Sequence, residues 1–500
     1  MRLYRPACLI AAVCLAVPAY AQTAADAAAD TAAYRAQGEA ALERLKREPV
    51  PPSRARNVII FIGDGMGVST ITAARIFAGQ AAGKDGESFE TAMDALPYAA
   101  LVKTYSHDAQ VSDSAPTATA IMAGIKTRNG MIGVGPEAQV GNCASGKGQL
   151  VPSLIGLAQD RGLATGVVTT TGITHATPAS AYAQTVQRDW ESDADMPQAA
   201  KDQGCTDIAR QLIEGSTGAR LNVVLGGGRT HFLPKSVRDP EHAGKSGARG
   251  DGRDLIAAWQ RANPNGHYAW NRAQFLTFDP ARHTRLLGLF EPNHMQFEAD
   301  RAKDPAGEPS LVEMTETAIR ALSRSDKGYV LLIEGGRIDH AHHAGNAFRA
   351  LTDAKAFDEA VAAALRLTSA NDTLIVTTAD HSHTLTISGY PVRGNPILGA
   401  VAEAPGKPQL AMDGKGYTTL GYANGPGAGH DHARHDPVAV DTAAPDYRQQ
   451  ATVPLSSETH AGEDVAVRAS GPGAHLLRGT IEQHTIFYVI REALFGAAQK

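Results

Sequence analysis

The sequence predicts an α/β fold, a three-layer α/β/α sandwich with a mainly parallel central sheet. Five short apolar runs have the length of buried strands: 58–62, 164–169, 221–225, 329–333 and 373–378. Helical patterns such as 311–322 and 347–367 separate several of these runs. Continuously apolar strands that alternate with helices are typical of a parallel sheet covered on both faces.

The size and composition of the chain fit an ordinary globular enzyme. Its 500 residues exceed what one compact core usually supports, which leaves one large domain with insertions or two domains. The chain is 43% hydrophobic and 20% charged, so it can bury a core. The net charge is -5 and no run of basic residues is present, which argues against a nucleic-acid binding module.

The first residues have the pattern of a secretory signal peptide. Arg2 and Arg5 precede an apolar stretch at 9–17, and Ala19-Tyr20-Ala21 forms a small-x-small cleavage site. We expect residues 1–21 to be removed by cleavage after Ala21. No later segment reaches the roughly 20 apolar residues that a membrane span needs, and the C-terminus lacks an apolar lipid-anchor tail. We therefore expect a periplasmic or secreted protein without a membrane anchor.

Shifts in composition divide the rest of the chain. Residues 22–56 are predicted to form an N-terminal helical arm, because an Ala-rich stretch is closed by several prolines. Residues 57–388 and 455–500 carry the patterns of a catalytic domain. Residues 389–454 are rich in Gly, Pro, His and Asp and are predicted to form an insertion. Its histidines, such as His430 and His432, are interpreted as solvated rather than metal-binding.

The cysteines favour one disulfide bond. Of the four cysteines, Cys8 and Cys14 leave with the signal peptide, so Cys143 and Cys205 remain as a pair in an oxidising compartment. Two unpaired buried thiols are one alternative. Metal ligation is another, although neither cysteine has a CxxC-type spacing.

Polar clusters follow several predicted strands, and ligand sites in open parallel sheets lie beyond the carboxyl ends of strands. Asp64 follows the first run in a Gly-rich turn, which on its own is also a common surface turn. Glu334 stands at the end of the fourth run, where its carboxylate suits a harder ion. If residues 335–343 are helical, Asp339 and His343 share a face and reach one metal ion.

The fifth run leads into a second set of acids and imidazoles. Asp380 and His381 come directly after the strand, where both side chains can turn inward, and His383 follows. Together with the preceding cluster they supply the mixed nitrogen and oxygen ligands of a catalytic zinc site. His460 lies in a Gly-containing loop that by itself would be interpreted as a solvated turn.

Ser114 is the candidate nucleophile. Pro116 and the small residues behind it mark a helix start, which places Ser114 where free N–H groups and the helix dipole attract an anion. The alternative is that Ser114 or Asp113 only caps the helix. A hydroxyl needs a base or a metal to lose its proton, and the chain has no Gly-x-Ser-x-Gly elbow, so metal activation is favoured.

Arg188 is the candidate anion clamp. Its planar guanidinium fork matches two oxygens of a phosphate group. Without the neighbouring motifs it would be interpreted as a surface arginine.

Taken in order, these motifs resemble the alkaline phosphatase family, and they look closest to the animal enzymes. The resemblance runs from about Asn57 to Phe495 and is carried by the segments 57–75, 113–115, 190–195, 334–343, 378–383 and 458–465. It implies metal-dependent hydrolysis of phosphate monoesters through a phosphoserine on Ser114, with release of an alcohol and inorganic phosphate. It also implies a homodimer, an arm that crosses to the neighbouring subunit, and a crown-like shape for the insertion.

The resemblance further implies two zinc ions and one magnesium ion per subunit. The first zinc would be held by Asp339, His343 and His460, and the second by Asp64, Ser114, Asp380 and His381. The magnesium would take Asp64, Thr177 and Glu334. Arg188 would hold the phosphate, Asp113 would orient Arg188, and His175 and His383 would support the ligands from behind.

The animal enzymes also carry a calcium site. Its equivalents here would be Glu241, the carbonyl of Phe290, Glu291 and Glu308. The loop at 301–308 differs in length from the family pattern, and Pro116 replaces the small residue usual after Ser-Ala. Cys143 and Cys205 match a disulfide of the family.

Rival functions come from two classes. Among enzymes, the rival is a phosphodiesterase, a sulfatase or a phosphate-transferring mutase of the same superfamily, but Ser114 with Arg188 favours small monoesters. From another class, the chain could be a catalytically silent metal- or phosphate-binding protein. All positions needed for turnover are filled, which argues against the silent protein.

Overall fold

The computed structural model describes residue 52 and residues 54–429 and 434–496. The predicted signal peptide, the Ala-rich part of the predicted arm, His430 and His432 lie outside the described residues. Within the described part, no helix combines the length and the apolar character that a membrane crossing requires.

Strands and helices alternate over most of this part of the chain. The strands are β1 (Asn57–Gly63), β2 (Tyr98–Lys103), β3 (Ala164–Gly172), β4 (Val223–Gly227), β5 (Gly266–Ala269), β6 (Arg285–Leu289), β7 (Tyr329–Gly335), β8 (Thr373–Ala379), β9 (Ser382–His383), β10 (Leu385–Ile387), β11 (Ala402–Ala404), β12 (Lys407–Pro408), β13 (Leu420–Gly425), β14 (Ala451–Pro454), β15 (His460–Ala461), β16 (Val465–Ser470) and β17 (Thr480–Glu482). The α-helices are α1 (Val68–Ala81), α2 (Ser114–Ala123), α3 (Cys143–Gly146), α4 (Leu154–Asp160), α5 (Ala176–Ala179), α6 (Gln198–Asp202), α7 (Ile208–Glu214), α8 (Leu255–Ala262), α9 (Arg272–Phe275), α10 (Leu311–Leu322), α11 (Arg337–His343), α12 (Ala347–Leu367) and α13 (Thr485–Phe495).

A sheet of ten strands forms the centre, in the order β17-β2-β16-β8-β1-β7-β3-β4-β6-β5. From β8 to β5 every neighbouring pair is parallel, whereas β16 runs antiparallel to both β8 and β2. The five predicted strands all lie in the parallel part, and α10 and α12 have the predicted bounds. β4 begins at Val223 rather than Leu221, because a 3₁₀ turn ends at Arg220. The predicted α/β class is confirmed.

The central strands are covered on both faces. Residues 58–62 of β1 are fully buried, and both α12 and α13 contact this strand. Phe61 packs edge-to-face on Phe357 of α12, with ring centroids 5.7 Å apart. Because water reaches neither face of β1, its sequence is apolar throughout rather than alternating.

The predicted insertion adds small sheets of its own. β13 pairs with β10 and β14, and β11 pairs with β12. β10 ends directly before the predicted insertion, so the insertion is joined by strand pairing to the segment that leaves β8. The predicted pairing of Cys143 with Cys205 is confirmed as a disulfide bond.

α2 begins at Ser114, as the sequence predicts. Asp113 is the N-cap, and its side chain accepts a hydrogen bond from the N–H of Ala115. Pro116 lies in the first turn, where a backbone N–H would have no partner within the helix, so the proline is accommodated. This capped turn fixes the position of the Ser114 hydroxyl.

Candidate active site

Three neighbouring strands deliver buried acids to one edge of the sheet. β8, β1 and β7 lie side by side in parallel register. Asp64 follows β1, Glu334 ends β7 and Asp380 follows β8, and all three side chains are fully buried. Parallel strands end at the same edge, so the convergence expected from the sequence is present in the structure.

Ser114 faces the first group of candidate ligands. Its hydroxyl oxygen lies 3.1 Å from Nε2 of His381 and 3.4 Å from Oδ1 of Asp64. Nε2 of His381 lies 3.3 Å from Oδ1 of Asp64 and 3.4 Å from Oδ2 of Asp380. The N–H of Gly65 donates to Oδ1 of Asp380 at 3.0 Å and holds that carboxylate in place. The four residues expected around one zinc ion therefore meet at one point.

Asp339, His343 and His460 form a second group beside the first. α11 carries Asp339 and His343 one turn apart, with Nε2 of His343 3.4 Å from Oδ1 of Asp339. β15 brings Nε2 of His460 within 3.3 Å of the same oxygen. The ring of His460 stacks on that of His381 with centroids 3.6 Å apart, so the two groups are adjacent.

The two imidazoles of the second group direct lone pairs at each other. A carbonyl oxygen only accepts, so Nδ1 of His343 donates to the carbonyl of Glu458 at 2.6 Å, and Nδ1 of His460 donates to that of Ser112 at 2.8 Å. In the neutral rings both Nε2 atoms, 3.1 Å apart, then present lone pairs. A cation shared with Asp339 satisfies both, which is the donor arrangement of a zinc site.

A third group of candidate ligands consists of oxygen atoms. Oε2 of Glu334 accepts hydrogen bonds from the hydroxyls of Thr169 and, at 3.1 Å, Thr171. Oδ2 of Asp64, Oε1 of Glu334 and Oγ1 of Thr177 are buried without a hydrogen-bond partner among the described residues. Burial of unpartnered oxygens is unfavourable, and a hard cation between them removes the penalty.

The buried acids also act on one another's pKa. Burial, together with the charges of Asp380, Asp339 and Glu334, raises the pKa of Asp64 well above its ordinary value. Burial raises the pKa of Asp380 and raises that of Glu334 to about 7. Cations between such carboxylates reverse this repulsion, so the electrostatics agree with the donor geometry.

His383 and Glu458 hold Asp339 from behind. Nε2 of His383 lies 2.6 Å from Oδ1 of Asp339, and its Nδ1 contacts Oε2 of Glu458. Burial lowers the pKa of His383, but the two carboxylates outweigh it and raise the pKa to about 10. His383 is among the residues predicted from the sequence, whereas Glu458 is not. Its position close before His460 in the chain is the signal that could have revealed it.

Arg188 lies beside the helix of the nucleophile. Its Nη1 is 3.4 Å from Oδ1 of Asp113, and its Nη2 is 2.9 Å from Nε2 of His175. Asp113 therefore both caps α2 and contacts Arg188. The two roles predicted for this acid, helix cap and partner of Arg188, are compatible. Arg188 and Asp113, both expected at the phosphate, therefore lie together with His175, which was expected to support the ligands from behind.

Two further histidines stand behind His175. The ring centroids of His294 and His340 lie 5.5 and 5.4 Å from that of His175, and 4.4 Å from each other. Burial, followed by the charge of Arg337, lowers the pKa of His294 to about 4. Neither residue is assigned a role from the sequence. His340 belongs to the His-rich run after β7, whereas nothing around His294 in the sequence marks it as a functional residue.

A separate acidic group contains the carboxylates proposed for calcium. Gln296 joins two of them, because its N–H donates to Oε1 of Glu308 and its side-chain amide donates to Oε1 of Glu291, each at 3.0 Å. Phe290 is buried and directly precedes Glu291. The structure adds Asp304, which the sequence analysis missed because it lies in the loop of unusual length.

Unpaired oxygens mark this acidic group as well. Oε1 of Glu241, both carboxylate oxygens of Asp304 and Oε2 of Glu308 are buried without a partner among the described residues. Burial, followed by Asp304, raises the pKa of Glu241 to about 7. Burial, followed by Glu291 and Asp304, raises the pKa of Glu308 to about 9. The group offers four carboxylates and contains no nucleophile. Carboxylate oxygens are the donors that a hard, structural ion takes.

Comparisons with known proteins show the family of this chain. A sequence model described as alkaline phosphatase matches residues 55–495. The tissue-nonspecific alkaline phosphatase of Gallus gallus is 47% identical over 463 residues, which cover 91% of this chain and 87% of that protein. The alkaline phosphatase of Gadus morhua is 46% identical over 448 residues, covering 88% of this chain and 92% of that protein.

Solved structures share the fold. The alkaline phosphatase of Thermus thermophilus superposes with a TM-score of 0.64 at 26% identity, covering 91% of this chain and 94% of that one. The alkaline phosphatase of the Antarctic bacterium TAB5 superposes with a TM-score of 0.59 at 23% identity, covering 88% of this chain and 98% of that one. At that identity the TAB5 likeness concerns the fold alone.

Proposed function

This chain belongs to the alkaline phosphatase family, and from that premise we propose how the residues at the sheet edge carry out its reaction. The activity is hydrolysis of phosphate monoesters to an alcohol and inorganic phosphate, through a phosphoserine intermediate. The observation that carries the residue assignments is the convergence of Asp64, Asp339, His343, Asp380, His381 and His460 around Ser114.

Two zinc ions fit the mixed donor groups. The first would lie among Asp339, His343 and His460, where the Nε2 lone pairs of the two histidines face each other. The second would lie among Asp64, Asp380 and His381, next to Ser114. Imidazole nitrogen together with carboxylate oxygen is the donor set that zinc takes in catalytic sites.

One magnesium ion fits the oxygen group. Asp64, Glu334 and Thr177 each have a buried oxygen without a partner in the described chain. Magnesium prefers hard oxygen donors such as carboxylates and hydroxyls. Asp64 would be shared between this ion and the second zinc.

When bound, the zinc ions supply Lewis acidity that lowers the pKa of a hydroxyl or a water molecule and stabilises a leaving oxygen. Arg188 binds two equatorial oxygens of the phosphate through its planar fork, and Asp113 and His175 hold that fork in place. The hydroxyl oxygen of Ser114, at the N-terminus of α2, is the nucleophile that attacks the phosphorus atom, and the helix N-terminus favours the anion there.

The reaction then proceeds in two displacements. The hydroxyl of Ser114 gives up its proton as Oγ forms a bond to phosphorus and the bond to the alcohol oxygen breaks, and the departing alkoxide takes up a proton as alcohol. Water then gives up a proton as it attacks the phosphoserine from the vacated side, the bond from phosphorus to Oγ breaks, and Oγ takes up a proton as the phosphate leaves. Positioning and charge stabilisation account for most of the rate, since phosphoryl transfer needs little covalent help from the protein.

Metal analysis combined with a monoesterase assay tests these assignments. The purified protein should contain zinc and magnesium and should release phosphate from a chromogenic phosphate monoester. Chelation should abolish the activity, and zinc with magnesium should restore it. Full activity in protein stripped of zinc would contradict the proposed role of both zinc groups.

Calcium is the ion proposed for the separate acidic group. Glu241, Glu291, Asp304 and Glu308 are its candidate side-chain ligands, with the carbonyl of Phe290 as a further one. Support comes from the unpartnered oxygens of three of these acids. Asp304 extends the ligand set inferred from sequence.

Export and dimerisation are also proposed. The Cys143–Cys205 disulfide supports an oxidising compartment, in line with removal of residues 1–21 and a periplasmic or secreted location. A homodimer is proposed from the family resemblance. Mass determination of the mature N-terminus and sedimentation of the purified protein test the two proposals.

A further inference from the structure

One tyrosine of the insertion reaches the helix that carries two metal ligands. The hydroxyl of Tyr422, in β13, lies 2.8 Å from Nδ1 of His342 in α11. Nε2 of His342 lies 3.0 Å from the hydroxyl of Thr70 in α1. His342 is fully buried, and Tyr422 and Thr70 are nearly so. We propose that Tyr422 is a positioning residue for the first zinc site, acting through His342.

Strand pairing places Tyr422 at this point. Tyr422 is directly opposite Leu385 in the antiparallel pair of β13 with β10. Thr384, just before β10, is held by Glu458, whose Oε1 accepts from its N–H at 2.7 Å. Glu458 also contacts His383. The insertion is therefore anchored to the same residues that support Asp339.

His342 connects the tyrosine to two candidate ligands. Its ring lies against that of His383, with centroids 4.9 Å apart and planes inclined by 32°. His383 in turn lies 2.6 Å from Oδ1 of Asp339. The ring of His383 also lies against that of His343, with centroids 4.8 Å apart. The orientation of the His342 ring therefore acts on both ligands through His383.

The hydrogen bonds fix that orientation. A neutral imidazole has one nitrogen that donates and one that accepts, and the hydroxyls of Tyr422 and Thr70 can satisfy both. Removing either hydroxyl leaves one buried nitrogen of His342 unpaired, which is unfavourable. The ring can then turn to find another partner, and His383, which contacts both Asp339 and His343, loses a fixed neighbour.

Two other contacts of the insertion lie at the junction of α11 and α12 and involve no histidine. The N–H of Gln449 donates to the carbonyl of Gly345 at 2.9 Å, and the amide of Asn346 donates to the carbonyl of Pro445 at 2.6 Å. These bonds hold the junction of α11 and α12. Tyr422 differs because it engages a histidine side chain inside the metal-bearing helix, which makes the insertion a component of the metal site. This inference rests on the zinc site assigned under the proposed function.

Tyr422→Phe in the zinc-loaded full chain tests the inference, because it removes only the hydroxyl. We expect zinc to pass to an excess of chelator about 10-fold faster than from the parent, since residues behind metal ligands typically change affinity by about 10- to 100-fold. We also expect the gain in Tm on zinc binding to shrink, with kcat lowered and KM for a chromogenic phosphate monoester little changed.

Tyr417→Phe is the matched control. The hydroxyl of Tyr417 also belongs to the insertion, but it donates to Oε1 of Gln409 and not to a histidine. We expect this variant to release zinc at the parental rate. Thr70→Val removes the other partner of His342 and should release zinc faster than the parent, as Tyr422→Phe does. It therefore tests the same inference if Tyr422→Phe does not fold.

Three results would overturn the inference. Zinc release from Tyr422→Phe at the parental rate is the first. An equal fall in Tm for the zinc-loaded and metal-free forms of that variant is the second, because it indicates a purely structural tyrosine. Faster release from Tyr417→Phe as well is the third. A parent that binds no zinc would instead overturn the proposed function, together with the inference built on it.

Discussion

Two groups of buried carboxylates in this molecule differ in what accompanies the acids. At the sheet edge, Asp64 and Asp380 stand among imidazoles and face the hydroxyl of Ser114. In the acidic group, Glu241 accepts a hydrogen bond from Arg229 at 3.0 Å and lies among other acids. Unpaired buried oxygens indicate a cation in both places. An imidazole accompanies the acids in both groups, since Nε2 of His242 lies 3.7 Å from Oε2 of Glu291. The nucleophile Ser114 therefore separates the catalytic site from the structural one.

The largest effect is expected from removing the nucleophile. Ser114→Ala should lower kcat for a phosphate monoester by about 1,000-fold or more, because the phosphoserine can no longer form. Zinc content, measured in parallel, should stay at the parental level since six other ligands remain. Activity within about 10-fold of the parent would mean that Ser114 is not the nucleophile, and the two groups of carboxylates would no longer differ in this respect.

The next effect concerns the phosphate clamp. Arg188→Ala should raise the inhibition constant of inorganic phosphate by about 10- to 100-fold, because charge-assisted hydrogen bonds to the anion are lost. Arg210→Ala is the control, since Arg210 forms a surface pair with Glu214. Equal phosphate inhibition in Arg188→Ala and the parent would remove Arg188 from the mechanism.

The acidic group should respond in stability rather than in turnover. Asp304→Asn should abolish the rise in Tm that added calcium gives the parent, a rise of about a few degrees if calcium stabilises the fold by about 2–3 kcal/mol. kcat with zinc and magnesium supplied should stay within about twofold. The exposed Asp326 offers the control variant Asp326→Asn. A large loss of kcat in Asp304→Asn, but not in Asp326→Asn, would mean that the acidic group also affects turnover at the sheet edge.

The last prediction concerns a buried acid outside both groups, whose replacement should change stability and not turnover. Burial raises the pKa of Asp353 to about 8, although the charge of Arg337 opposes the shift. The unfolded chain releases this proton near pH 4, so the folded state loses stability as pH rises from about 4 to about 8. The slope is at most about 1.4 kcal/mol per pH unit.

Asp353→Asn should remove that slope. The free energy of unfolding of the variant, relative to the parent, should increase from about pH 4 to about pH 8 and then level off. Urea unfolding at several pH values measures it. A difference that does not change with pH would mean that Asp353 is ionised in the fold without penalty, as in a group that holds a cation.

The sequence predicts the catalytic edge well, because parallel strands deliver their last residues to one place. Asp64, Glu334 and Asp380 follow apolar runs that could be recognised without a structure. The i, i+4 spacing of Asp339 and His343 becomes one face of α11. Periodicity and strand order therefore predict most of the residues of the site.

Periodicity and strand order do not predict the long-range contacts that loops make. Asp304 lies in an irregular loop, and Glu458 reaches His383 across 75 residues of sequence. Tyr422 depends on the pairing of β13 with β10, for which the insertion gives no periodic signal. The antiparallel insertion of β16 between β8 and β2 was likewise not foreseen, since a short strand near the C-terminus has no unique partner in the sequence.

The place of β16 has a consequence for biosynthesis. β8 lies near the middle of the sheet, yet one of its two neighbours is contributed by residues 465–470, close to the end of the chain. A nascent polypeptide that has emerged only as far as residue 450 presents β8 as an open strand edge and lacks His460. Such edges recruit other chains. Chains truncated before residue 460 should therefore be both inert and prone to aggregate, because β8 gains its second neighbour and the metal site its last histidine only when residues 460–470 have been made.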